Sequence, residues 1–280
     1  MLERRGPRIS SQENRKMART ALMNVMVQAV LKAGRGLGRD FGEVENLQVS
    51  LKGPGDFVSA ADRRADETLI AELRKARPTY GFLTEESGAI PGADTANRWI
   101  VDPLDGTTNF LHGIPLFTIS VALEREGKIV AGIVYSPILN ELYVAERGSG
   151  AFLNDRRLRV AARKNLADSL IGIGMAHLGN PGGARSADAL LIEAKTAGCR
   201  SLGSAALELA WVASGRYDGF CHRHLQPWDF AAGALLVREA GGFVTGLDGN
   251  DKTIDAGALV AGNQAILKEL GSLLALAPAE

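Results

Sequence analysis

Trp99-Ile100-Val101-Asp102-Pro103-Leu104-Asp105-Gly106-Thr107-Thr108-Asn109-Phe110 is the stretch on which the reading of this chain turns. An apolar strand, Arg98 to Asp102, delivers a carboxylate to its end. Pro103, with φ fixed and no N–H to give, is expected to stop that strand. Asp105 follows three residues on, close enough across a tight turn for the two carboxylates to converge. Packed together they repel unless a cation lies between them, and hard oxygen donors of this kind suit Mg2+. The Leu104 carbonyl between them is a further donor. Gly106 lets backbone approach a ligand closely, successive N–H groups can hold a phosphate, and Thr107 and Thr108 add hydroxyls. A strand, a turn and a solvated Asp pair would account for either carboxylate alone. That reading does not account for Asp, Pro, Asp, Gly and Thr together, in the order a metal-bound phosphate needs.

Other carboxylates could complete a cage. Glu85 and Glu86 follow the strand-like run Gly81 to Thr84, although a Glu pair by itself reads as a solvated loop. Asp229 opens the apolar helix over 228–240, where an acid is also stabilised by the helix dipole by about 0.3–1 kcal/mol. Asp62 reads equally as an ordinary acid in a first helical turn. Ser204 is placed either to line a ligand or to cap a helix over 204–214.

Around these residues helical and strand-like runs alternate. Residues 20–40 read as a helix ending in the stretch Gly34, Gly36, Gly38, and 61–77 as a second helix stopped by Pro78. Three β-rich runs, 117–125, 128–136 and 141–146, have Gly127 and Asn140 in the turns between them, which predicts an antiparallel meander. The charged stretch Asp155 to Lys164 reads as a seam. Beyond it come a strand at 169–174, a loop at Gly179 to Gly183, and helices at 187–197 and 204–214. A strand at 217–221, the helix 228–240 closed by Gly241 and Gly242, and a last helix at 264–276 complete the chain. The expected organisation is an N-terminal extension, 1–16, without apolar period and disordered; an α+β domain, 17–160; and an α/β domain, 161–280.

Composition bounds the function. Lys+Arg and Asp+Glu both number 32 in 280 residues, so the net charge is zero, which argues against nucleic-acid binding. A hydrophobic content of 46% is too high for a disordered chain. Cys199 and Cys221 are too few for a disulfide framework, which suggests the cytoplasm. They and the neighbouring histidines do not suggest zinc, because Cys221, His222 and His224 are too tightly spaced and lack a fourth partner. The apolar run Ala21 to Leu31 after an Arg-rich start resembles a signal peptide. Asn24 and Gln28 interrupt it at helical spacing, which favours an amphipathic surface helix, and it is too short for the roughly 20 apolar residues of a membrane span.

The motif Asp102-Pro-Leu-Asp-Gly-Thr-Thr-Asn-Phe110 resembles that of the inositol monophosphatase family, the magnesium-dependent, lithium-inhibited sugar phosphatases. The bacterial inositol-1-monophosphatase (SuhB-like) branch is the nearest in pattern. Trp228-Asp229-Phe230-Ala-Ala-Gly233 through Glu239-Ala-Gly-Gly242 resembles the family's second signature, Glu85-Glu86-Ser87 its Glu-Glu-Ser element, and Asp62 its Val-(Ser/Thr)-x-x-Asp acid. The resemblance runs from about residue 17 to the C-terminus. It implies a layered αβαβα sandwich, a homodimer and two or three Mg2+ per subunit. By the same resemblance, Glu85, Asp102 and the Leu104 carbonyl hold the first ion, and Asp102, Asp105 and Asp229 the second, with a third, weaker ion near Glu85. Gly106 and Thr107 contact the phosphate, Asp62 and Thr107 orient and help deprotonate the attacking water, and Arg200 with Gly203, Ser204 and Ala205 lies along the substrate hydroxyls. The expected reaction is hydrolysis of inositol 1-phosphate or a similar small polyol phosphate by direct attack of metal-activated water.

The chain departs from the family pattern at His222, which stands where a Glu commonly contacts the inositol hydroxyls. An acceptor carboxylate has become an imidazole. The alternatives within the class are phosphatases for nucleotide bisphosphates, fructose bisphosphate or histidinol phosphate. The alternative from another class is a transcription or ribosome-assembly partner protein with the same fold.

Overall fold

The computed structural model of the chain describes residues 19–43, 49–53, 56–174, 187–247 and 257–274; over 49–53, 56–59 and at Ala187 the description is of backbone alone. The expected extension 1–16 and the loop Gly179 to Gly183 lie outside the described residues.

The chain opens with α1 (Ala21–Phe41), whose first turn is closed by Thr20 accepting from the Met23 N–H at 3.1 Å. Met23, Met26, Val27, Val30 and Leu37 recur at helical spacing and are buried. The helix takes nearly the expected span, 20–40, and carries all three glycines near its end. Gly34 is where it crosses β-sheet: a Cβ there would lie 2.5 Å from Tyr135 Cε1, whereas one on Gly36 would meet nothing within 4 Å. Packing and helix propensity therefore predict opposite signs at the two positions. Gly34→Ala should cost about 1–3 kcal/mol by overpacking, and Gly36→Ala should add about 0.5–1 kcal/mol; urea titration of the two variants checks the order.

A hairpin, β1 (Val49–Gly53) and β2 (Asp56–Ser59), leads into α2 (Ala60–Ala76). The inner stripe of α2 carries Ala61, Ala65, Leu69 and Leu73, and also two buried acids, Asp62 and Asp66. Next come β3 (Tyr80–Thr84), β4 (Gly88–Ile90), β5 (Asp94–Asp105) and the short α3 (Thr107–Leu111). The predicted meander follows as β6 (Thr118–Arg125), β7 (Lys128–Ser136) and β8 (Glu141–Glu146), then β9 (Gly150–Leu153) and β10 (Arg156–Arg157). These eight strands form one sheet in the order β10-β9-β8-β7-β6-β5-β3-β4, with β3 and β5 its parallel pair.

Pro103 does not stop β5. The strand continues to Asp105 through a bulge, because Asp102 pairs with Ser120 and Asp105 with Thr118, so three steps on β5 oppose two on β6. A proline with no N–H is tolerated at such an irregularity. The bulge puts Asp102 and Asp105 on one continuous element.

The remaining elements are β11 (Leu170–Ile173), α4 (Ala187–Glu193), β12 (Gly198–Arg200), α5 (Ala205–Ala213), β13 (Gly219–His222), α6 (Pro227–Glu239), β14 (Phe243–Gly246), β15 (Leu259–Gly262) and α7 (Gln264–Leu274). A second sheet has the order β12-β11-β13-β15-β14, parallel at β12-β11-β13 and antiparallel beyond.

Three apolar clusters stack the layers. One lies between α1–α2 and the eight-stranded sheet, a second joins that sheet through α5–α6 to the five-stranded sheet, and a third lies between that sheet and α4–α7. The result is the expected αβαβα sandwich. Phe230 to Val237 of α6 are all buried, as a helix enclosed on both sides requires. Among the described residues no helix is long and apolar enough to cross a membrane.

Candidate active site

The parallel register of β3 and β5 pairs Thr84 with Val101, and the Glu85 N–H continues the ladder to the Val101 carbonyl at 3.1 Å. The next residues along, Glu85 and Asp102, therefore stand side by side at the carboxyl ends of adjacent parallel strands, where open α/β sheets place ligands. Asp102 is 1% exposed, and its Oδ1 accepts from the Leu104 N–H at 2.9 Å. Burial pushes its carboxyl well above the ordinary carboxylate range. The charges of Glu85, Asp105 and Asp229 and a hydrogen bond with Glu85 push it further.

The bulge brings Asp105 to the N-terminus of α5. Its Oδ2 accepts from the Ser204 hydroxyl at 2.6 Å and from the Ala206 N–H at 2.8 Å. Burial raises this carboxyl to about 6, against the lowering effect of those donors. Ser204 occupies the N-cap position of α5 but makes no side-chain bond to its own helix. The helix is capped by Asp105, from another segment, and the serine hydroxyl is turned onto that carboxylate. Asp229 sits at the third position of α6 and accepts from the Gln226 N–H at 2.7 Å in a capping box. Its carboxyl also lies well above its ordinary range, through burial first and then the charges of Asp105 and Glu85.

The structure thus brings Glu85, Asp102, Asp105 and Asp229 within electrostatic reach of one another from three separate segments. Among the described residues no three His, Cys, Asp or Glu side chains are drawn in tightly enough to coordinate one ion as they stand. Asp102, Asp105 and Asp229 each accept from their own donor: the Leu104 N–H, Ser204 with the Ala206 N–H, and the Gln226 N–H. The chemistry of the set nevertheless fits a hard divalent cation. All its donors are oxygens, and what raises the Asp102, Asp105 and Asp229 carboxyls is burial first and then the neighbouring negative charges, which a cation relieves.

Gly106, at φ 99°, begins α3 in the left-handed region, and a Cβ there would lie 3.1 Å from the Leu116 carbonyl and 3.2 Å from that of Gly203. The Thr107 hydroxyl is 3.0 Å from Asp62 Oδ1 and 3.1 Å from the Leu104 carbonyl. Asp62, 1% exposed in the first turn of α2, is therefore joined to the motif.

Two further sequence candidates have local contacts of their own. Arg200 is exposed at the end of β12, its Nη1 donating to the Cys199 carbonyl at 2.7 Å. His222 ends β13 with its imidazole over Gly174, where an added Cβ would meet Cδ2 at 1.6 Å. Its Nδ1 accepts from the His224 N–H at 3.0 Å, which leaves the ring proton on Nε2.

Three residues that matter to the geometry escaped the sequence reading. Asn109 gives one amide hydrogen to the Leu116 carbonyl at 2.7 Å and one to the Leu202 carbonyl at 2.6 Å, tying the motif to the loop before α5. Glu208, 2% exposed, accepts from the N–H of the same Leu202. Burial, with the Asp105 charge adding, raises its carboxyl to about 8. Asp66 lies one turn beyond Asp62. The available signal for Glu208 and Asp66 was an acid placed in an apolar helical stripe.

A sequence model of the inositol monophosphatase family matches residues 18–277. A protein of Mesorhizobium japonicum named inositol-1-monophosphatase is 62% identical over 255 residues, which cover 91% of this chain and 96% of that protein. The Nus factor SuhB of Pseudomonas aeruginosa is 41% identical over 256 residues, covering 89% of this chain and 94% of that one. The crystal structure of the extragenic suppressor protein suhB from Bartonella henselae aligns with a TM-score of 0.88 at 58% identity, covering 91% of this chain and 98% of that one.

Proposed function

The chain belongs to the inositol monophosphatase family and is a phosphoric monoester hydrolase; from that premise we propose that it hydrolyses inositol 1-phosphate or a similar small sugar or polyol phosphate with Mg2+ as cofactor. The observation that carries this reading is the set of buried, mutually repelling carboxylates beside the Thr107–Asp62 pair. Glu85, Asp102 and the Leu104 carbonyl would hold one ion, and Asp102, Asp105 and Asp229 another, with a third by Glu85. When bound, the ions supply positive charge to the phosphate and the leaving oxygen and make water a better nucleophile.

The chain's own groups supply position and proton traffic. The Gly106 and Thr107 N–H groups face the phosphate, and the left-handed Gly106 keeps side-chain bulk away from it. Thr107 and Asp62 orient the attacking water and take its proton, Asp62 being the acceptor at the end of that bond. Gly203, Ser204, Ala205, Arg200 and His222 lie along the substrate's hydroxyls. A homodimer in the cytoplasm completes the proposal.

Phosphate release across a panel of monoesters, with and without Mg2+ and Li+, tests this reading. The panel includes inositol 1-phosphate, a nucleotide bisphosphate, fructose bisphosphate and histidinol phosphate. Inositol 1-phosphate is expected to lead, with Mg2+ required and Li+ inhibiting; a leading nucleotide bisphosphate would replace the substrate and keep the chemistry. His222→Glu should raise kcat/KM on inositol phosphates relative to the other monoesters, because it exchanges an Nε2–H donor for an acceptor. A ratio that does not move removes His222 from the substrate site.

A second reading, as a partner in transcription, is favoured by one observation: a relative 41% identical is named Nus factor SuhB. A catalytically dead variant that still restores growth to cells lacking the gene would separate the two roles.

A further inference from the structure

Asp66 is 1% exposed, sits one helical turn after Asp62, and belongs to the apolar stripe with which α2 packs inward. A carboxylate is costly to bury there unless its oxygens are bonded. Its Oδ2 accepts from the Ser87 hydroxyl at 2.5 Å and from the Thr84 hydroxyl at 3.4 Å. Thr84 Oγ1 also accepts from the Ser87 N–H at 2.9 Å, so the three residues close a ring. Between the two hydroxyls stand Glu85 and Glu86, in the turn that joins β3 to β4. These bonds hold the turn from outside its own hairpin, and tie it to the helix that carries Asp62.

We propose that Asp66 is a positioning residue: through the Thr84 and Ser87 hydroxyls its carboxylate fixes the turn that aims Glu85 into the site and ties that turn to the helix bearing Asp62. The proposal rests on the reading of Glu85 as a magnesium ligand. Groups that orient a ligating carboxylate are commonly worth about 10–100-fold in metal affinity. Asp66 would thus set how tightly Mg2+ is held without touching ion or substrate.

The experiment follows the melting temperature of the full chain as Mg2+ is added without substrate, and phosphate release over the same Mg2+ range. Four proteins are compared: wild type, Asp66→Ala, Asp66→Asn, and the pair Thr84→Val with Ser87→Ala. The pair removes both hydroxyls and leaves α2 untouched, so it serves if Asp66→Ala does not fold. Asp66→Ala and the pair should raise the half-saturating Mg2+ at least about tenfold in both readouts, with kcat at saturating Mg2+ kept within about threefold. Asp66→Asn, which retains an acceptor oxygen, should rescue both. If wild type responds to Mg2+ and the pair responds at the same concentration, the positioning role is overturned and the metal site stands. If neither readout of the wild type responds to Mg2+, the metal reading of Glu85 falls and this role falls with it.

Discussion

Asp105→Asn should lower turnover by about a thousandfold, equivalent to roughly 4 kcal/mol of transition-state stabilisation, while the melting temperature stays within a few degrees of wild type. The two halves of that expectation come from two duties of one carboxylate. As a cap, Asp105 accepts from Ser204 and from the Ala206 N–H through a single oxygen, Oδ2. Asparagine keeps one such oxygen and is itself among the preferred capping residues. As a site residue, Asp105 contributes negative charge beside Glu85 and Asp229. Asparagine removes that charge, and with it a ligand that a divalent cation would need. Asp105→Ala should therefore differ from Asp105→Asn in stability, by about 0.5–2 kcal/mol for the lost cap, and hardly at all in turnover. Measured kcat at saturating Mg2+ and a thermal melt on each variant separate the two duties. A kcat near wild type in Asp105→Asn would remove Asp105 from the metal set; Asp229→Asn should behave in the same way.

Removing divalent cations should take phosphate release down to the uncatalysed background, and Mg2+ alone should restore it. The background for phosphate monoesters is so slow that enzymes supply factors up to about 10²¹, so the loss is close to total. Cation removal should also change how stability depends on pH. Asp105 titrates near 6 in the folded chain, and Asp102 and Asp229 lie well above the ordinary carboxylate value. The unfolded chain would titrate these groups near 3.9. Between the two values the folded state binds more protons than the unfolded state, so stability falls as pH rises. Glu208, raised to about 8, extends the same trend upward. Glu72 and Glu141 are shifted downward, so their opposite contribution is confined to pH below the ordinary carboxylate range. In chelator the melting temperature should accordingly be lower at pH 7.5 than at pH 5, and Mg2+ should narrow the gap. A melting temperature in chelator that climbs from pH 5 to pH 7.5 would contradict the assignment of buried, repelling carboxylates.

The meander β6–β7–β8 was legible because its signals are local. Strand-like runs and turn residues coincide, and Gly127 and Asn140 do take the positive φ, 71° and 53°, that such turns require. The helix α6 was legible from a long apolar run. Strands β14 and β15, four residues each, gave too little pattern to read. The path of β5 through Pro103 depended on its pairing with β6, and the close fit at Gly34 on the ring of Tyr135. Neither partner is visible in local propensity. The site divides in the same way. Asp102, Asp105 and Thr107 stand in one dense motif and could be read together. Ser204 could be read either as lining a ligand or as capping its own helix, because the acceptor it reaches lies 99 residues away in sequence. Asn109 reaches Leu202 across 93 residues, and Asp66 reaches Ser87 across 21. These ties are set by tertiary packing, and a single sequence carries no local trace of them.

The capping role of Asp105 and Asp229 bears on how this chain could evolve. Each closes the N-terminus of a helix in the central layer, α5 or α6, so on the proposed reading each serves folding as well as catalysis. A lineage that abandoned phosphate hydrolysis would still be selected to keep an acceptor oxygen, Asp or Asn, at both positions. Glu85 and Thr107 close no helix through their side chains, and would be released to drift once hydrolysis no longer mattered. On the proposed reading, catalytic competence among descendants of this chain would be recorded at Glu85, at Thr107 and in the charge at positions 105 and 229, while an acceptor oxygen at those two positions would record only that the fold has survived.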